Sequence, residues 1–370
     1  MRKKISLSLI AVFVFSLFIM QGCGKKEETD VIKIGAILPL TGKLSFYGNE
    51  VKDALTIVKE KEKNLKIQFL YEDSQSKASN AVTIFNKLSM ENTMPLIISC
   101  NSPLSIPLRP LAEKNKKVLL ALVTGARDFG VANKWSFRDA INQDQEGVAL
   151  ARYIIEKTDK RNACNFVVND DYGLGGAESF TSKLEELGGN VVAQETFEMN
   201  DRDMRTSIIK LLNSNPDFIY IVGREQTIIS SINQIREQNE NILIVTSDAF
   251  DSPNVQKGVG ENAKGIIYAS YYNNLESNEA KTFIELFETK FNRRPGIYAI
   301  DAYVAGKYIL KLVQDTGIDS HKLRDELSNM EYVSEIKGKL HVSVKRDVIS
   351  PIAIYKVNSK FEKIVIHVVI

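Results

Sequence analysis

Three histidines, three cysteines and a few clustered carboxylates are the side chains of this 370-residue sequence that could carry covalent or acid–base chemistry. His321, His341 and His367 all lie beyond residue 320 and show no metal-ligand spacing. They are far in sequence from the polar loops, so acyl or phosphoryl transfer there has no evident base. The chain has no G-x-S-x-G elbow, no G-x-x-x-x-G-K-[ST] loop and no G-x-G-x-x-G turn. Asp170, Asp171 and Asp248 leave carboxylate-only chemistry open, although carboxylates on loops more often serve charge and capping. Cys100 and Cys164 each sit in an apolar, strand-like run, IISC and CNFVV. They could pair in an oxidising compartment, but buried free thiols are the plainer reading. The chemistry left is recognition. The loops PLTGKLSFYGN, SCNSPLS, VTGARDF, NDDYGLGG, GREQT and SDAFDSP are rich in Ser, Thr, Asn, Asp, Tyr and Gly. That is the composition of a polar small-molecule site and also of ordinary βα turns.

The elements that would hold those loops are short apolar runs alternating with amphipathic helical stretches. Strands are predicted at VIKIGAILP, LKIQFLYED, PLIISC, KVLLALV, KWSFRDA, NACNFVVND, NVVAQETFE, DFIYIVG, NILIVTSD and KGIIYASYY. Helical periods such as ALTIVKEKEK, KASNAVTIFNKLSMEN, VALARYIIEKT, AESFTSKLEELGG and TSIIKLLNSN fall between them. Such alternation argues for parallel sheets covered by helices on both faces. About ten strands is more than one ordinary sheet holds, so two doubly wound lobes are expected. Ligands of such sheets lie beyond the carboxyl ends of the strands, where the six loops are.

At the N-terminus, Arg2, Lys3 and Lys4 precede an uncharged stretch from Ile5 to Met20 that is short for a membrane span. This is the layout of a secretory signal peptide. Met20, Gln21, Gly22 and Cys23 resemble a bacterial lipobox, which implies lipidation of Cys23 and removal of residues 1–22. An ordinary signal peptide with an incidental cysteine is the other reading. Residues 23–30 then read as a tether. Loss of three basic residues from 48 leaves 45 against 46 acidic ones, so the mature chain is near neutral and nothing suggests a nucleic-acid partner.

The stretch IKIGAILPLTGKLSFYGNEVKDAL resembles the type I periplasmic binding proteins, in particular the branched-chain amino-acid (leucine/isoleucine/valine) binding family. There a first strand runs into a P-[LM]-[ST]-G turn and then a Y-G, matched here by Pro39, Leu40, Thr41, Gly42, Tyr47 and Gly48. The likeness continues through LKIQFLYEDSQSKASNAVTIFNKL, NSPLSIPLRPLAEKNKKVLL, NDDYGLGGAESF and PGIYAIDAYVAGKYIL. It implies an α/β fold of two flavodoxin-like doubly wound parallel-sheet lobes joined by a three-crossover hinge. Lobe I would hold residues 31–141 and 273–345, and lobe II residues 142–272 and 346–370. It implies an extracytoplasmic, lipid-anchored solute-binding protein without cofactor or metal. Such a protein captures an amino acid or related carboxylate and delivers it to the permease subunits of an ABC importer. A ligand sensor on the same fold and a lipoprotein enzyme are the rival readings.

The resemblance also implies site residues. Ser102, with Asn101 beside it, would take the ligand carboxylate, although Ser before Pro is also a common helix cap. Thr124, Ala126 and Arg127 lie in the next strand loop, where Arg127 stands at a family Thr. Arg127 could grip a second carboxylate, or pair with Asp128 or water. Tyr47 and Tyr172 would be aromatic lids from opposite lobes. Asp248 would receive the ligand ammonium, or cap a short helix. Arg224 replaces a family Tyr. Two arginines in the cleft would favour a ligand with additional negative charge.

Overall fold

The computed structural model describes residues 31–127, 129–131, 133–360 and 362–369. The expected signal peptide, the Cys23 lipidation site and the tether lie outside the described residues.

The apolar runs form strands and the amphipathic stretches form helices, alternating along most of the chain. The first half runs β1 (Ile32–Leu38), α1 (Ser45–Lys61), β2 (Ile67–Asp73), α2 (Ala78–Ser89), β3 (Leu96–Cys100), α3 (Ser102–Ser105), α4 (Arg109–Asn115), β4 (Val118–Leu122) and β5 (Ser136–Asp139). These five strands form a parallel sheet of order β2-β1-β3-β4-β5. The second half runs α5 (Gln143–Lys157), β6 (Asn162–Val168), α6 (Asp171–Glu186), β7 (Asn190–Phe197), α7 (Arg205–Asn213), β8 (Phe218–Val222), α8 (Glu225–Gln238), β9 (Leu243–Thr246), α9 (Pro253–Val259) and β10 (Ile267–Tyr271). Its strands repeat the same order, β7-β6-β8-β9-β10, also parallel. Both are the 2-1-3-4-5 order of doubly wound folds. Each sheet organises a separate hydrophobic core: one gathers Ile34, Ile98, Leu120 and Phe137, the other Phe166, Ile219, Val245 and Tyr268.

The remaining chain completes both lobes. Helices α10 (Asn278–Phe291), α11 (Ile297–Thr316) and α12 (Ser320–Ser328) return to the first. They lead into a small antiparallel sheet of β11 (Glu331–Ser334), β12 (Gly338–Val342) and β13 (Val348–Ile349). Then β14 (Ile352–Val357) and β15 (Lys363–Val369) extend the second sheet antiparallel to β10. The chain therefore passes between the lobes three times: after Asp139, after Tyr271 and between Ile349 and Ile352. The third passage falls a few residues beyond the expected 345/346 boundary, because Val348 and Ile349 still pair with β12.

Two passages are bound together by a buried ion pair. Arg138 donates through Nε and Nη2 to the two oxygens of Asp347, at 2.9 and 2.8 Å. Asn142 Nδ2 adds a third bond to Asp347 at 3.1 Å. Arg138 Nη1 also donates to the carbonyl of Ala126. A bidentate guanidinium–carboxylate pair with its remaining atoms hydrogen-bonded is the arrangement in which a buried ion pair holds. Cys100 and Cys164 are both buried and unpaired with one another, each in a different sheet, so the disulfide reading is set aside. No helix among the described residues is long and apolar enough to cross a membrane.

Candidate ligand-binding site

The carboxyl ends of both parallel sheets face one cleft. The turn after β1 is fixed by Asp73, which accepts from Leu40 N at 2.9 Å, Thr41 N at 3.2 Å and Thr41 Oγ1 at 2.7 Å. Desolvation is the largest single effect and opposes ionisation, but these bonds together outweigh it and hold the Asp73 carboxyl below the ordinary range. Helix α1 then starts close under the turn. Gly48 makes this possible: a Cβ there would lie 2.3 Å from the Pro39 carbonyl oxygen. Tyr47, one residue earlier, is thereby delivered to the cleft.

The other lobe repeats the device. Asp170 caps α6, accepting from Tyr172 N and Gly173 N at 3.0 Å each. A Cβ on Gly173 would sit 2.0 Å from the Val168 carbonyl oxygen. Tyr172 is placed facing the cleft as Tyr47 is. The capping reading of Asp170 is thus the observed one.

Between the lobes lies a cavity of about 20 Å³, lined by Tyr47, Asn101, Val123, Gly125, Ala140, Ile141 and Tyr298 from the first lobe and its exits, and by Tyr172, Gly223, Arg224, Asp248, Ala249 and Tyr271 from the second. Asn101 and Val123 follow β3 and β4 with φ of +69° and +51°. Left-handed backbone is costly for a branched residue such as Val123, and such outliers gather at functional sites. The Asn101 side chain is fully buried. Its Oδ1 accepts from Cys100 Sγ at 3.3 Å, while Nδ2 has no partner. Arg224 is 7% exposed; Nη2 donates to Asp170 Oδ2 at 2.7 Å, and Nε has no partner. Its guanidinium lies over the Tyr172 ring, 4.8 Å from the centroid.

Asp248 follows β9 and accepts from Tyr172 Oη at 3.2 Å; its own N–H donates to Glu146 Oε1 at 2.5 Å. Burial pushes its carboxyl up to about 6, and the Tyr172 bond and Arg224 only partly offset that. Asp248 thus presents a carboxylate, held by Tyr172 and the Ala249 backbone, to a cavity walled by tyrosines. The aromatic wall is completed by Tyr298, whose ring meets that of Tyr47 edge-on at 5.1 Å. Glu50 fixes the start of α11 by accepting from Gly296 N at 2.7 Å and Ala299 N at 3.3 Å, which sets Tyr298 in place.

Of the nine residues expected at the site, Tyr47, Asn101, Tyr172, Arg224 and Asp248 line the cavity. Ser102, Thr124 and Ala126 form the layer behind it. Ser102 Oγ accepts from Ala126 N at 3.1 Å, and Thr124 Oγ1 meets Ser105 Oγ at 3.1 Å. Ser102 is the first residue of α3, and no side chain caps that helix, so the alternative reading of Ser102 as a helix cap is not the observed one. Arg127 is absent from the lining. Two carboxylates of the other lobe draw it to the rim, Asp144 at 2.7 Å and Glu178 at 2.8 Å. The expectation of two arginines in the cavity is corrected to one. None of the histidines lines the cavity; His321 packs edge-on to Trp135 at 4.8 Å. Sequence reasoning missed Tyr271, Tyr298 and Glu146. Tyr271 ends a strand as Asp248 nearly does, and that position was the available signal.

The model of a periplasmic binding protein family matches residues 31–362. The chain is a periplasmic binding protein. Among curated relatives, the Leu/Ile/Val-binding protein BraC3 of Rhizobium johnstonii is 24% identical over 298 residues, covering 77% of this chain and 80% of that protein. Among solved structures, the leucine binding protein LivK of Thermotoga maritima superposes with a TM-score of 0.83 at 23% identity, covering 92% of this chain and 99% of the other. A solute binding protein of an ABC transporter from Rhodopseudomonas palustris, in complex with 3,4-dihydroxybenzoic acid, gives 0.83 at 18% identity, with 91% and 97% covered. The type I periplasmic binding protein fold expected from the sequence is the one observed.

Proposed function

We propose that this periplasmic binding protein captures a small amino acid or related carboxylate between its lobes and passes it to the permease subunits of an ABC importer. One observation carries the reading: a cavity shared by both lobes joins a half-buried carboxylate, Asp248, to two buried donors without partners, Asn101 Nδ2 and Arg224 Nε, inside a wall of tyrosines. Buried polar groups left unmet cost free energy unless a ligand or water meets them. A ligand with an ammonium toward Asp248 and a carboxylate toward Asn101 meets both needs. The Leu/Ile/Val-binding relatives and the transporter-associated structural neighbour support the same assignment. The ligand bridges the lobes, and its greater affinity for the closed form draws the hinge shut. No chemistry is assigned to the chain itself. In this proposal residues 1–22 are removed, and Cys23 carries the lipid that holds the protein on the outer face of the cell membrane.

Native mass spectrometry of the purified protein, followed by calorimetric titration of the amino acids and carboxylates found, tests the reading. A ligand released on unfolding and rebound stoichiometrically is the expected result. Absence of binding across a panel of amino acids and carboxylates, or turnover of a bound compound, would overturn it. Lipidation is tested by the mass of the mature N-terminal peptide, which should carry acyl chains on Cys23.

A further inference from the structure

Tyr47 and Arg224 have a second exposure. Besides the inner cavity they line an adjoining groove of about 430 Å³ at the mouth of the cleft. The inner cavity and the groove therefore share two residues, so a ligand too long for the inner cavity has the groove as adjoining space. Three cations line that groove: Lys43 from the first lobe, Arg202 and Arg224 from the second. Lys43 and Arg202 are exposed and have no ion-pair partner among the described residues. Two acids also line the groove, each accepting a hydrogen bond from a neutral donor. Asp201 Oδ2 accepts from Glu198 N at 2.7 Å, and Glu225 Oε1 accepts from Ser252 Oγ at 3.5 Å. Asp170, the partner of Arg224, already accepts two amides of α6. It orients the guanidinium while leaving Nε unmet. The first turn of α8 also borders the groove, and a helix N-terminus adds positive potential there.

We propose that Arg224, supported by Lys43 and Arg202, forms a subsite for a second acidic group, so that the preferred solute is an acidic amino acid and not an aliphatic one. The proposal rests on the solute-binding reading above and narrows its ligand class. An aliphatic side chain pointing at Arg224 would leave Nε buried and unpaired in the complex, which penalises it. A terminal carboxylate pairs with the guanidinium and meets the two rim cations.

The test is calorimetric titration of the purified protein with L-glutamate, L-glutamine and L-norvaline, which share a chain length and differ at the tip. Glutamate should bind at least about tenfold more tightly than either neutral analogue, a difference that shrinks as salt is raised. In Arg224→Gln the glutamate-to-glutamine ratio should fall to within about threefold. Because Arg224 is tied to Asp170, folding of that variant is checked by its melting curve. The exposed double variant Lys43→Gln/Arg202→Gln reads the same ratio without disturbing the interior and should also lower it. Equal affinity for glutamate and norvaline, or an undiminished ratio in a folded Arg224→Gln, overturns the subsite and leaves the solute-binding function standing. Failure of every amino acid and carboxylate tried overturns the function itself.

Discussion

Arg127 Nε meets Asp144 Oδ1 at 2.7 Å across the seam between lobes, with Glu178 accepting a second contact at 2.8 Å. The arginine follows β4 of one lobe, and both carboxylates sit on helices of the other. At about one-third exposure the clasp is worth on the order of 1 kcal/mol. Arg127→Gln should shift the ligand-free protein toward the open form, raise its radius of gyration in solution scattering and weaken ligand binding about two- to fivefold. The loss should be smaller at high salt. Unchanged scattering and affinity would mean that the clasp does not bias closure.

A second bond spans the same seam, from Glu225 N to Tyr47 Oη at 3.2 Å. Tyr47→Phe keeps the ring against Tyr298 and removes only this acceptor. Affinity should fall by about fivefold, the equivalent of one neutral hydrogen bond, with the melting temperature of the ligand-free protein nearly unchanged. Titration of the two proteins side by side measures it.

In the proposed function, Asp248 should make binding depend on pH. Its carboxyl in the folded chain titrates near 6, above the unfolded value, because burial disfavours the charge. The folded, ligand-free protein thus holds this proton to higher pH than the unfolded chain does. Its stabilising effect is complete below about pH 4 and is lost as pH rises through about 6. Asp248→Asn should therefore raise the ligand-free melting temperature by about 2–4 °C at pH 8 and change little at pH 4. Ligand binding behaves oppositely, since an ammonium requires the ionised form. Wild-type affinity for an amine-bearing ligand should drop about tenfold per pH unit below 6, and the Asn variant should bind weakly with no such slope.

The paired Tyr-Gly steps show how much of this was legible in advance. All ten strand candidates form strands, because short runs rich in apolar and β-branched residues between helical periods have few other solutions. Tyr47 and Tyr172 were readable because each precedes a glycine at the start of a helix, where the backbone presses on the previous strand. Arg127 was not, since its partners Asp144 and Glu178 come from the other lobe and only tertiary packing brings them near. Strands β11 and β13 were missed as well, and β12 was read only as a strand-like run around His341. They are short and largely exposed at Glu331, Val333, Gly338, Lys339 and His341, so they carry little periodic apolar signal. Tyr298 lies inside α11, where an aromatic on a mostly buried helix looks like core until the cleft is seen.

Gly173→Ala tests the steric reading directly. The added methyl would press on the Val168 carbonyl, and overpacking against backbone costs about 1–3 kcal/mol. A lower melting temperature should accompany weaker binding, because α6 must rise and carry Tyr172 with it. Normal binding in a destabilised variant would separate the glycine from the site.

The Arg138–Asp347 pair should matter to the whole fold. Asp347→Ala strands a guanidinium that is 2% exposed, and breaking a buried pair from one side costs about 3–5 kcal/mol. Denaturant titration should show a clear loss of stability, with both lobes affected because the pair ties two of the passages between them.

At about 20 Å³ the inner cavity has room for little more than one water molecule, well below the roughly 300 Å³ of ordinary small-molecule pockets. In the proposed function a solute would therefore act as a spacer. The angle at which the halves come to rest would then depend on the bulk of what lies between them, and the outer contour offered to the proposed permease would carry a record of the cargo's size.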